Sequence, residues 1–273
     1  MKTACAWCGG ILLCSCTWEK IMAKKRKARE LTVTAASHLT QNMRRLTLQG
    51  EELASFPEDA EGGYFKLVFP GEDPEKPVLR TYTIAQYRSD LHEIDVDFML
   101  HMNPEGSVDG VAAPWSIQAQ PGDRMSIFGP GPATIINTDA DWYLLAADMT
   151  ALPALAVNFG HLPADAKGYI VIEIITDEDR QDLPVPSGME LIWVVNSQPG
   201  SDNAPLYKAI KALTWLEGKV AVWVACEFKT MKKTRQYFKQ DRNVEKSRLY
   251  ISSYWKKGLD EEQHKIAKRD DVA

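Results

Sequence analysis

No stretch of the 273 residues stays apolar over the roughly 18–20 positions that a bilayer-crossing helix needs, which excludes a transmembrane span of that kind. Bases are the minority charge, 32 against 37 acids, for a net of −5. A chain built mainly to grip duplex nucleic acid would carry the opposite balance. There is no internal repeat and no G-x-G-x-x-G, so a standard Rossmann fingerprint is missing. Cysteine is scarce in the body. Cys5, Cys8, Cys14 and Cys16 fall in the first sixteen residues, and only Cys226 lies further on. A disulfide scaffold spreads its cysteines along the chain, so a reduced, cytoplasmic protein is expected. The clustered thiols stand closer than in an ordinary zinc module and no His joins them, so no metal site is expected.

Residues 1–28 read as a non-structural extension. Lys2 and the short apolar run Ile11-Leu12-Leu13 have the outline of a secretory signal, but Trp18-Glu19-Lys20 stands where a small-residue cleavage site would be. Met22 then opens the basic run Lys24 to Arg29. From Glu30 to Ile136 the signals are those of strands. Leu31 to Thr34, Met43 to Leu48, Tyr64 to Phe69, Arg80 to Ala85, Ile94 to Leu100 and Met125 to Phe128 are short β-rich segments, several of them alternating, and they end at turns. Six such strands predict a closed antiparallel barrel over residues 29–136. After Asp141 the pattern changes. Trp142 to Ala147, Tyr169 to Ile175, Leu191 to Val195 and Val220 to Ala225 are continuous apolar runs, as in strands covered on both faces. Leu206, Ile210, Leu213 and Leu216 mark one helix face among the intervening segments. A parallel-sheet α/β domain over residues 137–258 follows. The charged tail, 259–273, fits either a terminal helix or a disordered end.

Four clusters carry chemistry. In Arg80-Thr81-Tyr82-Thr83, Arg80 and Tyr82 share one strand face. The Arg can take a phosphate as a bidentate pair and the Tyr can lie against a flat heterocycle, although a solvated rim and a packed ring give the same pattern. The Asp97 to His101 strand ends on a His within reach of a phosphate, and Gly110, Ala112 and Ala113 can let a pyrophosphate approach the backbone. Ala147-Asp148-Met149-Thr150 follows the first strand of the α/β domain, where a second nucleotide would sit or where a helix would be capped. The stretch from Glu227 to Lys257 has a local net charge of +7, which suits an anionic ligand or partner as well as a solvated helix face.

In this order and spacing the clusters resemble the siderophore-interacting proteins, flavin-dependent ferric-siderophore reductases. The likeness runs from about residue 30 to 258. It includes Arg80-Thr81-Tyr82-Thr83, Trp115, Pro121-Gly122-Asp123, Gly129-Pro130-Gly131, Thr150-Ala151-Leu152-Pro153-Ala154 and Tyr254-Trp255-Lys256-Lys257-Gly258. The resemblance implies a ferredoxin-reductase-like architecture, a flavin-binding barrel followed by a nicotinamide-binding α/β domain. It implies that Arg80, Tyr82 and Thr83 bind FAD, with Tyr82 against the isoalloxazine. His101, Ala112, Ala113 and Trp115 match positions around the rest of that dinucleotide. Thr150 and the Cys226-Glu227 pair match the nicotinamide side, and Trp255 joins the cofactor candidates. Lys66 matches a basic position that meets the ferric siderophore, and Lys256 and Lys257 are further candidates for that contact. The sequence departs from the family at Met149, commonly acidic, at Pro114, commonly Arg, and at Cys226, often Gly.

The expected activity is therefore FAD-dependent reduction of a ferric siderophore to release Fe(II), with electrons from NADH or NADPH and no catalytic nucleophile or base. Two alternatives remain at this point: a flavoprotein reductase linked to a ferredoxin, whose acidic surface would suit the 229–257 stretch, and a siderophore carrier without redox activity. A monomer is expected, with no nucleic-acid or membrane partner.

Overall fold

The computed structural model describes residues 28–73, 75–100 and 110–272. Seven strands form one antiparallel sheet: β1 (Arg29–Thr40), β2 (Met43–Gln49), β3 (Tyr64–Phe69), β4 (Val78–Thr83), β5 (Gln86–Arg88), β6 (Glu93–Met99) and β7 (Arg124–Gly131). Their order is β4-β3-β7-β1-β2-β6-β5. Alternation sorts the residues. Leu31 and Val33, Leu46 and Leu48, Phe65 and Leu67, and Ile94, Val96 and Phe98 turn inward to one core, with α1 (Ala112–Gln118) closing an end. The expectation of six strands is met with one addition, the three-residue β5. It carries little apolar signal of its own. Arg88 holds it in place by reaching Glu93 at 3.0 Å and Asp95 at 2.7 Å. Among the described residues no ladder joins β4 to β5 or β6, so the sheet curls round its core without a closed hydrogen-bonded ring.

The second sheet is parallel. It comprises β8 (Trp142–Asp148), β9 (Lys167–Ile174), β10 (Gly188–Val195), β11 (Val220–Glu227) and β12 (Leu249–Trp255), in the order β10-β9-β8-β11-β12. Every residue of β8 and β11 is buried. Tyr143, Leu145 and Ala147 pack on one face against α2 (Leu152–Phe159), whereas Trp142, Leu144 and Ala146 pack on the other against α3 (Pro205–Ala212) and α4 (Phe228–Gln236). Apolar surface on both sides of a strand is what a continuous apolar run encodes. Between β9 and β10 there is no α-helix, only a short 3-10 turn over Asp177–Asp179 followed by Leu183-Pro184-Val185-Pro186, where prolines prevent a helix.

That turn connects the two sheets. Asp179, fully buried, accepts hydrogen bonds from Thr40 Oγ1 at 2.7 Å, the Asn42 backbone N–H at 3.0 Å and Asn42 Nδ2 at 2.8 Å, all in the β1–β2 turn. It also caps its own turn through the Thr176 N–H at 3.1 Å. Trp223 of β11 donates its indole N–H to Thr134 O, 2.9 Å away in the connecting segment. The charged tail forms a helix, α5 (Glu261–Val272), laid along β12 and reaching β4 of the first sheet.

Candidate active site

The sheet topology creates two candidate surfaces. The first lies at the β4 edge. Phe65 of β3 is register partner to Tyr82, and Lys66 to Thr81, so Lys66 and Thr81 share the face opposite Arg80 and Tyr82. The Tyr82 ring lies 4.5 Å from that of Phe98, and Phe98 lies 5.9 Å from Trp115, which also meets Phe69 edge-on. Tyr82 and Trp115 are thus joined through one buried ring. Desolvation pushes the Tyr82 phenol above its ordinary value, so the ring stays neutral.

Arg80 donates only to its neighbour's carbonyl, Leu79 O at 2.9 Å, and has no carboxylate partner among the described residues. A half-buried guanidinium left without an anion fits a phosphate-bearing ligand. Thr83, mostly buried, has no side-chain hydrogen-bond partner among the described residues. At Gly110, φ is +87° and nothing lies within 4 Å of where a Cβ would stand. The strand edge therefore offers an aromatic ring and, among the described residues, a cation without a carboxylate partner, a pair that fits a flavin dinucleotide. Ala112 is different. It is buried in the barrel core, while Ala113 and Trp115 are half-buried beside it. His101 lies outside the described residues. Asp97, on the strand leading to it, forms a bidentate pair with Arg45 at 2.6 and 2.8 Å.

The second surface is the carboxyl end of the parallel sheet. The chain order reverses between β8 and β11, and ligands of open α/β sheets sit at such a switch point. Asp148 and Thr150 follow β8, Glu227 ends β11 and Trp255 ends β12. All four are engaged with one another or with the backbone. Thr150 N–H donates to Asp148 Oδ1 at 3.0 Å, and Trp255 Nε1 donates to Asp148 Oδ2 at 2.8 Å. Glu227 caps α4, accepting from Lys229 N–H at 2.6 Å and Thr230 N–H at 3.2 Å, and its other oxygen accepts from Lys257 N–H at 3.4 Å. Thr150, Glu227 and Trp255 are therefore held in these contacts at the carboxyl end of the sheet. Cys226, beside them, is buried and its thiol is pushed well up by desolvation and three nearby carboxylates, so it is not a thiolate.

Sequence reasoning missed Glu173. It is the one acid inside the run Tyr169 to Ile174, and that interruption was its only signal. It is buried, accepts from Leu206 N–H at 3.1 Å and so caps α3. Desolvation, with repulsion from Asp148 and Glu227, raises it from 4.5 to about 7. A carboxyl raised in the folded state favours folding while protonated, so this contribution is present below pH 4.5 and lost as pH rises towards 7. Glu173→Gln keeps the acceptor for Leu206 and removes the charge. The variant is expected to be more stable than the parent at pH 8, by about 1–2 kcal/mol, with a flatter stability profile between those two pH values. Denaturant titrations at several pH values check this, and an unchanged profile refutes it.

The remaining basic candidates are only partly free. Lys66 Nζ lies 2.7 Å from Glu261 of α5. Lys256 Nζ stands 4.6 Å over the Phe228 ring, and Lys257 is exposed beside Gly200. Lys229, Lys232, Lys233, Arg235, Lys239 and Lys256 line an open depression of about 630 Å³. Of these bases, Lys229 pairs with Asp202, and Lys232 and Arg235 pair with Asp271. The +7 stretch is thus partly neutralised by acids from elsewhere in the chain. Glu261 and Asp271 both come from the charged tail.

An antiparallel barrel followed by a five-stranded parallel sheet with this switch point defines the two-domain flavoprotein reductase architecture. The cytochrome P450 reductase GcoB of Amycolatopsis shares it at TM-score 0.62 over 85% of this chain and 71% of its own, with 19% identity, a likeness of fold alone. The chain belongs to the siderophore-interacting protein family. The model of the siderophore-interacting FAD-binding domain matches residues 32–77 and 71–134, and that of the siderophore-interacting protein matches residues 140–258. The chain is 32% identical over 255 residues to the ferric vibriobactin reductase ViuB of Vibrio cholerae, covering 86% of this chain and 92% of that protein. It is 27% identical to the NADPH-dependent ferric-chelate reductase of Escherichia coli over 83% and 92%. The crystal structure of the siderophore-interacting protein SipS from Aeromonas hydrophila superposes with TM-score 0.79 at 32% identity, covering 90% of this chain and 98% of that one. FAD is thus the cofactor of the barrel's family. No described helix is long and apolar enough to cross a membrane.

Proposed function

We propose that the protein is an FAD-dependent oxidoreductase that reduces ferric siderophores and so releases Fe(II). The reading is supported by relatives called ferric reductases, matched along nearly their whole length. The observation that carries it is the register of β3 on β4, which sets Lys66 opposite Thr81 and so one position along the strand from Arg80 and Tyr82. In this reading Arg80 holds an FAD phosphate, Tyr82 packs on the ring system, and Thr83, His101, Ala112, Ala113 and Trp115 complete the flavin site. Thr150, Glu227 and Trp255 line the side where NADH or NADPH approaches. FAD, when bound, links a two-electron donor to a one-electron acceptor. The chain's own part is to orient that ring and to attract an anionic chelate through Lys66, Lys256 and Lys257. Iron is cargo, released because Fe(II) binds hard oxygen donors more weakly than Fe(III).

The division into 29–136 and 137–258, action as a monomer, and a cytoplasmic setting belong to the same proposal. A ferredoxin donor is the weaker reading, because Asp202 and Asp271 already occupy part of the basic surface it would use.

The test is anaerobic. The yellow protein is mixed with NADH or NADPH until its flavin bleaches, and a ferric siderophore is then added. Recovery of the flavin spectrum with formation of Fe(II) is expected. A colourless protein, or no recovery, overturns the reading. Lys66→Ala is expected to raise KM for an anionic ferric chelate about five-fold at low salt and to leave flavin content unchanged. Equal KM values at low ionic strength remove Lys66 from the site.

A further inference from the structure

We propose that Glu261 is an internal anion that occupies the Lys66 site and selects among ferric chelates by charge: an anionic chelate must displace its carboxylate, and a neutral one need not. The inference rests on the reading of Lys66 as the chelate-facing base.

Four donors converge on this one carboxylate. Lys66 Nζ, the Thr81 backbone N–H and the Thr81 hydroxyl each lie 2.7 Å from its oxygens, and Lys265 Nζ lies 3.1 Å away. Two ammonium groups, a backbone N–H and a hydroxyl around one oxyanion make a recognition site for a carboxylate or a catecholate arm. Here an acid from the chain's own carboxyl-terminal helix fills it. The Lys66 and Glu261 side chains are only 16% and 14% exposed, so the pair is shielded from salt and from water. Burial would raise the Glu261 carboxyl, but Lys66 and Thr81 outweigh it and hold it down at about 2, so the charge is permanent at working pH.

The carboxylate can leave without the helix. Further along α5, His264 Nε2 lies 2.8 Å from Ser253 Oγ, Lys268 Nζ reaches Ser253 O at 3.0 Å, and Asp271 pairs with Lys232 at 2.9 Å and Arg235 at 2.6 Å. These contacts moor the helix to β12 and α4. Glu261, in the first turn, is the residue whose side chain bonds to β4 among the described contacts. Thr81 is exposed, so an incoming oxyanion can reach the donors that Glu261 gives up.

Lys66 paired in this way attracts a distant anion weakly, and its attraction returns only when Glu261 is neutralised or displaced. The experiment uses the full-length flavin-loaded protein and two defined probes, a triply anionic ferric tris-catecholate and a neutral ferric tris-hydroxamate. Glu261→Gln is expected to lower KM for the anionic probe about five-fold while KM for the neutral one stays within about two-fold. Adding Lys66→Ala to Glu261→Gln is expected to erase the gain. A loosened or misfolded variant does not produce a charge-selective gain in affinity, so a purely structural tether predicts no improvement. If Glu261→Gln leaves KM for the anionic probe unchanged or raises it, while Lys66→Ala still weakens that probe, the plug is overturned and the chelate site stands. If Lys66→Ala changes nothing, both fall together.

Discussion

Asp179→Ala is expected to destabilise the protein by about 3 kcal/mol or more, seen as a lower midpoint in urea. The carboxylate is buried and takes hydrogen bonds from Thr40, from both nitrogens of Asn42, and from Thr176. Removing it strands several donors at a buried position, and each stranded donor costs on the order of 1–3 kcal/mol, not strictly additively. These donors belong to the turn of the first sheet, while Asp179 belongs to the loop of the second. The variant should therefore also loosen the junction between them, and protection from amide exchange at residues 40–43 should fall. Burial alone would raise the Asp179 carboxyl, but the bonds from Asn42 and Thr40 outweigh it and bring it below its usual 3.8. Its contribution is accordingly complete above that value and lost as pH falls through the depressed one. Asp179→Asn keeps one acceptor and should lie between the parent and the alanine variant, with the acid-side slope removed. A loss below about 1 kcal/mol for Asp179→Ala would mean that the junction is held elsewhere.

How much of this was readable from the residue order divides along a physical line. Strands buried on both faces announce themselves: Trp142 to Asp148 and Val220 to Glu227 are apolar almost throughout because α2, α3 and α4 cover both sides. The barrel strands alternate because one face is wet. The Arg80 to Thr83 cluster was legible because strand geometry alone puts Arg80 and Tyr82 on one side. Residues whose work depends on distant pairing left almost no local trace. Glu261 meets Thr81 across 180 positions, and Asp179 meets Thr40 across 139. In their own segments both look like solvated acids. Glu173 was visible only as a misfit in an apolar run, and β5 is too short for any period to show. The basic carboxy-terminal stretch misled in one respect. Local counting sees +7, but Asp202 and Asp271 are supplied by other parts of the chain.

Tyr82→Ala is expected to weaken FAD retention about 10- to 100-fold, which corresponds to roughly 1.4–2.7 kcal/mol. The ring is held in place rather than free to turn. Phe98 lies 4.5 Å behind it, tilted by 40°, and Phe98 is fully buried against Trp115. A pre-set aromatic face spares a planar ligand the entropy of ordering its platform. Truncation to alanine removes that face and uncovers Phe98, which can then follow the ring into the gap, so part of the lost contact is replaced by disorder. Tyr82→Phe preserves the face and discards only the hydroxyl, so it should keep affinity within about two-fold. Arg80→Ala acts on the other end of the same strand face. It removes a cation with no carboxylate partner among the described residues, so it should lower affinity while leaving the urea midpoint of the flavin-free protein nearly unchanged. The measurement is the flavin-to-protein absorbance ratio after dialysis, followed by titration of the stripped protein with FAD. Full occupancy after dialysis of Tyr82→Ala, in a variant whose unfolding midpoint matches the parent, would take Tyr82 off the isoalloxazine. A Tyr82→Phe variant as weak as the alanine would point instead to the hydroxyl.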